Sequence, residues 1–129
     1  MGLGDVSEKV IPKVGLLAAP VNGGDIRSIY LTPWRAHAAQ AVTGALCVAA
    51  ATAIDGIIAH SLVTPAVDAN IRTVCLKHPS GQITIKLATT GKGADLNVIK
   101  AGVIGTARLI MRGEVMIPAE TVESVVLAA

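Results

Sequence analysis

The stretch RAHAAQAVTGALCVAAATAIDG, Arg35 to Gly56, decides how the rest of the chain is read. Alanine dominates it from Ala36 to Ala53, and Ala and Leu have the strongest helix propensities. No acid interrupts the run before Asp55, where Asp55-Gly56 supplies a stop and Gly56 suits a left-handed C-cap. The pattern predicts one long helix over 36–53. Its apolar residues fall on every side, so the helix is expected to be buried all round, with small side chains letting other elements pack closely. The uncharged run from Ala36 to Ile54 approaches the length of a membrane span. It contains Gln40, Thr43 and Thr52, however, and lacks the Leu/Phe density and interfacial aromatics of one.

Working outward, KVGLLAAP (Lys13 to Pro20) reads as a buried strand closed by proline. VNGGD (Val21 to Asp25) is a turn signal, and DIRSIYL (Asp25 to Leu31) alternates as a second strand before a loop through Pro33 and Trp34. Downstream, IIAHSLV (Ile57 to Val63), IRTVCLKH (Ile71 to His78) and QITIKLA (Gln82 to Ala88) are β-branched runs. HPSGQ (His78 to Gln82) joins the last two as a tight hairpin, Pro79 fixing φ and Gly81 free to take a positive one. TTGKGADLN (Thr89 to Asn97) is a polar loop. Val98 to Pro118 is expected to give two or three more strands punctuated by Gly105 and Gly113, and Ala119 to Ala129 a short helix. The expectation is an α+β domain: a central Ala-rich helix within a curved, mainly antiparallel sheet of six to eight strands. One domain is expected over 1–129, with its core at about 13–118.

Composition narrows the function classes. The 129 residues are 52% hydrophobic but only 2% aromatic, with no Phe, so the core must be built from Ala, Val, Ile and Leu. Net charge is +2 with the basic residues scattered, unlike the clustered Lys/Arg and stacking aromatics of nucleic-acid binders. Cys47 and Cys75 have neither CxxC nor Cys/His spacing, which argues against a disulfide framework or structural zinc. Residues 1–12 carry charges and Pro12, unlike a signal peptide. A cytoplasmic protein binding neither membrane nor nucleic acid is the expectation.

VTGALCVAAA, HPSGQI and GTARLIMRGEVMIP, in this order and at these distances, resemble the C-terminal half of the 2-methylaconitate isomerase (PrpF-type) family. That family shares the diaminopimelate epimerase-like fold with methylitaconate isomerase and 4-oxalomesaconate tautomerase. The resemblance runs from about Lys13 to Pro118. It implies a two-lobed enzyme, each lobe a long helix wrapped by a curved sheet, with the active site in the cleft between. It further implies an isomerase acting on an unsaturated di- or tricarboxylate without metal or organic cofactor. Its base and thiol, a Lys and a Cys, are in the other half. The partners expected on this basis are a small carboxylate substrate and either the missing N-terminal half or a second copy forming a homodimer.

Moving a double bond in such a substrate needs acid/base groups near carbon and donors that hold the anion. The head of the alanine helix suits the second task. Free N–H groups and the positive dipole end favour a carboxylate, Gly44 allows close approach, and the Thr43 hydroxyl can donate. The bland alternative has Thr43 capping the helix and Gly44 present for packing. His37 and Arg35 stand before that head, either pairing with substrate carboxylates or, respectively, bonding a loop carbonyl and facing solvent. His78 and Ser80 form a second candidate pair, because a hairpin explains Pro79 and Gly81 but not the histidine. Arg108 is either at the cleft or in an ion pair, and His60 reads as a surface residue. Ala41 stands where the fold's epimerases carry a catalytic cysteine, which points away from two-cysteine epimerisation. Cys47 is expected to face packed side chains as a small hydrophobe, and Cys75 to lie within a strand. Competing with the isomerase reading are a stand-alone, self-associating anion-binding module and a structural domain without activity.

Overall fold

The computed structural model describes residues 2–20, 22–32, 34–64 and 70–118. Five of the β-prone runs form strands: β1 (Val14–Ala18), β2 (Ile26–Leu31), β3 (Ile71–His78), β4 (Gly81–Thr90) and β5 (Asn97–Ile104). Two helices, α1 (Val42–Ala51) and α2 (Ile58–Ser61), lie between β2 and β3. All five strands join one sheet in the order β1-β2-β3-β4-β5. Its joints are antiparallel except that between β2 and β3, which run parallel because the chain crosses over through α1 and α2. The fold is therefore α+β, an Ala-rich helix against a mainly antiparallel sheet.

Strand alternation selects the face that α1 covers. Ile26, Val74, Leu76, Ile85 and Leu87 are buried with Ala45 and Ala49, which are four residues apart and so share one side of the helix. Each large aliphatic side chain buried in this way contributes about 1.5–3 kcal/mol relative to exposure. Alanine is what permits the close approach. The helix is covered on this side only: Val42, Thr43 and Cys47 are exposed, which corrects the expectation of burial all round and of a packed Cys47. A run of alanines suits core and surface equally, so its composition cannot choose between one covered side and several.

The helix begins at Val42, not Ala36. The preceding backbone is used elsewhere: Ala36 bridges to Leu31, and the His37 N–H donates to Tyr30 O at 2.7 Å. These tertiary bonds outweigh alanine's propensity, a preference of only tenths of a kcal/mol per residue. The far end is set by competition as well. Thr52 is the C-cap, and its Oγ1 donates to Ala49 O at 2.7 Å. Its carbonyl receives Arg72 Nη1 and lies 2.9 Å from His60 Nδ1. Gly56 does adopt a positive φ of 83°, but four residues past this cap.

Basic groups at a helix C-terminus meet both its orphan carbonyls and the negative end of its dipole. Arg72→Met is therefore expected to cost about 1–2 kcal/mol in urea unfolding. A loss below about 0.3 kcal/mol would mean that the arginine adds nothing to what His60 supplies.

Other expectations change. Residues 57–63 hold the short helix α2, with His60 half-buried and paired to Asp55 at 3.3 Å. A seven-residue apolar run does not distinguish helix from strand by periodicity. Residues 98–118 contribute one strand, β5, and 105–118 pair with no strand among the described residues. Their apolar side chains stay exposed, Ile110 at 90% and Met116 at 91%. Among the described residues the sheet thus has five strands instead of six to eight. The helix expected at 119–129 lies outside the described residues.

Candidate active site

The β3–β4 hairpin brings the first candidates into place. His78 pairs with Gly81, leaving Pro79 and Ser80 as a two-residue turn, and Gly81 takes a φ of 153°. Ser80 Oγ donates to the carbonyl of Ala38, in the loop leading into α1. The Ser80 N–H lies 3.3 Å from His78 Nδ1, and Ser80 Oγ 3.1 Å from the same nitrogen. When Nδ1 of a neutral imidazole accepts from that N–H, the ring proton sits on Nε2, where it can be donated outward.

His37 lies one residue before Ala38. Its Nδ1 is 2.6 Å from Ala39 O and 3.1 Å from Ala39 N, the role depending on the tautomer. The loop-carbonyl contact weighed for His37 is therefore present. Its ring meets Tyr30 edge-on, with centroids 6.2 Å apart at 72°. Tyr30 in turn occupies the space that a side chain on Gly44 would need, since a Cβ there would lie 2.6 Å from Tyr30 Cε2. Gly44 is accordingly a packing glycine whatever else it does.

The head of α1 is uncapped. Ala41 is the N-cap, no side chain bonds the first turn, and that turn holds no acid. The first intrahelical bond is Ala45 N–H to Ala41 O at 2.9 Å, so the N–H groups of Val42, Thr43 and Gly44 precede it. Thr43 is inside the helix with an exposed side chain and is not the cap. Such an end favours an anion by both its donors and its dipole.

Of the sequence candidates, Gly44, His37, His78 and Ser80 thus fall on one continuous set of contacts, with Thr43 next to Gly44 on an exposed side of α1. It passes from the α1 head through Tyr30 and the 37–39 loop to the hairpin turn. Arg35 and Arg108 are exposed, outside that set. His60 is tied to the opposite end of α1, and Cys75 is half-buried in β3. No group of three His, Cys, Asp or Glu side chains is placed to hold a metal ion among the described residues. Nor is any of their helices long and apolar enough to cross a membrane.

Two groups escaped the sequence reading. Tyr30 reads as one residue of an alternating strand, whereas its ring packs over Gly44 and meets His37. Gln40, immediately before the N-cap, is 8% exposed, and neither its amide oxygen nor its nitrogen meets a hydrogen-bond partner among the described residues. A lone amide in an otherwise apolar run was the available signal, because buried amides of this kind nearly always have a partner.

Fold and site together define an α+β domain whose helix α1 begins without a side-chain cap. A family model described as PrpF protein matches residues 1–118, and the chain belongs to the PrpF family. The match starts earlier than the resemblance at Lys13. Over 118 residues the chain is 38% identical to the isomerase YbhH of Escherichia coli strain K12, covering 92% of this chain. It is likewise 38% identical over 122 residues, 94% of its length, to a 4-oxalomesaconate tautomerase of Pseudomonas putida. A (4E)-oxalomesaconate Delta-isomerase of Novosphingobium sp. is 38% identical over 117 residues, 91% of the chain. The chain spans about a third, 32%, of the length of each of these relatives.

Proposed function

We propose that this chain is the substrate-holding C-terminal domain of a PrpF-type isomerase that shifts a double bond and a proton in an unsaturated di- or tricarboxylate, methylaconitate-like in class. One substrate carboxylate sits against the N–H groups and Thr43 hydroxyl at the head of α1, beside Gly44. His37 and His78 flank it as hydrogen-bond donors, and Ser80, whose hydroxyl donates to Ala38 O, holds the turn beside it. Proton transfer belongs to groups outside this chain, so the domain alone binds but does not turn over. The second lobe is supplied by the N-terminal half or by another copy, and the exposed apolar residues of 105–118 are available to that lobe. The relatives' names support the reaction class, being those of isomerases and a tautomerase.

The observation that carries the reading is the Ser80–Ala38 hydrogen bond, which draws the hairpin turn up to the loop before an uncapped helix. The buried, unpartnered Gln40 amide beside that helix adds to it. Titration of the isotopically labelled chain with trans-aconitate tests it. The amide signals of Thr43, Gly44 and Ser80 are expected to shift first and together, and Thr43→Val to weaken binding about tenfold to a hundredfold, the worth of one charge-assisted hydrogen bond. Shifts confined to other parts of the chain would overturn the assignment.

A further inference from the structure

A second set of charges lies on the face of the sheet away from α1. An open cleft of about 410 Å³ is lined by Asn22, Arg27, Lys77, His78 and Pro79. Arg27 and Lys77 are register partners across the parallel β2–β3 joint. Like charges held directly opposite each other destabilise a sheet unless something offsets them. No carboxylate does so among the described residues, and the exposed Arg27 is left to solvent. The Arg27 guanidinium has no hydrogen-bond or ion-pair partner there, and Lys77 Nζ donates only to the neutral amide oxygen of Gln82. The nearest acid in sequence, Asp25, turns its carboxylate onto the Cys75 N–H at 2.7 Å.

The cleft is also shaped for Lys77. A Cβ on Gly24 would lie 2.4 Å from Lys77 Cγ, so the glycine gives the lysine stem its place. Asn22 reaches the rim from a left-handed turn, at φ 51°, with its amide donors available. His78 borders both this cleft and the hairpin turn, so Arg27 and Lys77 alone supply the charge that sets the cleft apart. Five donor-bearing or neutral residues, and no carboxylate, line this space.

We infer that this cleft binds a compact dianion, its two negative charges set against Arg27 and Lys77, at a site distinct from the head of α1. Succinate and inorganic phosphate both have this chemistry, and the test separates them. The full chain is titrated with succinate, phosphate and, as a singly charged control, acetate, following the amide signals of Asn22, Arg27 and Lys77. Arg27→Gln/Lys77→Gln is expected to weaken dianion binding at least about tenfold, while the charge-preserving Arg27→Lys/Lys77→Arg stays within about threefold. Raising the salt should weaken wild-type binding, as for any pair of partly exposed charges. Tighter binding of succinate identifies a dicarboxylate as the ligand class, and tighter binding of phosphate a phosphoryl group. Equal affinity in the wild-type and glutamine variants, or acetate binding as tightly as the dianions, would overturn the inference. Shifts of Thr43 without shifts at Arg27 would overturn it too while leaving the helix-head reading intact.

Discussion

Leu76→Ala is expected to destabilise the chain by about 2–5 kcal/mol, read as the urea midpoint at unchanged slope. Leu76 is fully buried on β3, beside Ile26 across the parallel joint and opposite Ile83 across the antiparallel one. Its removal leaves a void that the flanking strands cannot close, because each is fixed by its own register. Domains of this size are commonly stable by only about 5–15 kcal/mol, so the loss is a large share of the total. Leu16→Ala provides the contrast. That leucine is on β1 with 53% of its surface exposed, and truncating it should cost under about 1 kcal/mol. Similar losses at the two positions would contradict the assignment of the covered face.

Gly44→Val should cost about 1–3 kcal/mol and disturb the candidate site at the same time. Its Cβ would meet the Tyr30 ring at 2.6, 3.0 and 3.3 Å, so the ring must move and take its edge contact with His37 along. Helix propensity acts the other way, since valine is slightly better than glycine in a helix interior. Packing wins because the relief is only tenths of a kcal/mol. The sign reverses once the ring is gone: in a Tyr30→Ala background, Gly44→Val should be neutral or slightly stabilising. An undiminished penalty in that background would show that the cost arises from something other than the ring. Anion binding at Thr43 should weaken in the single variant and recover in part in the double one.

Much of the fold was legible from local chemistry. IRTVCLKH and QITIKLA are strands joined at His78–Gly81, as turn residues between β-branched runs require. What escaped was decided by contacts distant in sequence. Alanine propensity extends the helix back to Ala36, whereas the Tyr30 carbonyl and the Leu31–Ala36 bridge hold that segment as loop. Within IIAHSLV, Ile58–Ser61 form a helix from which His60 reaches Thr52 and Asp55, a pairing that no periodicity encodes. The apolar runs Leu109–Met111 and Val115–Ile117 suit strands, but a strand forms only where a partner strand is present. Of the site, the polar residues were visible individually in AVTG, RAH and HPSG. Their convergence was not, because it depends on Ser80 reaching Ala38 across 42 positions of sequence.

The parallel joint is narrow: two register pairs, Ile26–Leu76 and Arg27–Lys77, plus the Asp25–Cys75 bonds at its start. The two-stranded ribbon on one side and the three-stranded ribbon on the other are therefore stitched by a short seam under the crossover helix. Neighbouring hairpins zip from their own turns, while this seam must wait for the chain to loop through α1 and come back, a closure that taxes the search for the native state. The joint with the fewest register pairs is also where Arg27 and Lys77 lie side by side, so a dianion seated there would act as a clasp across the seam.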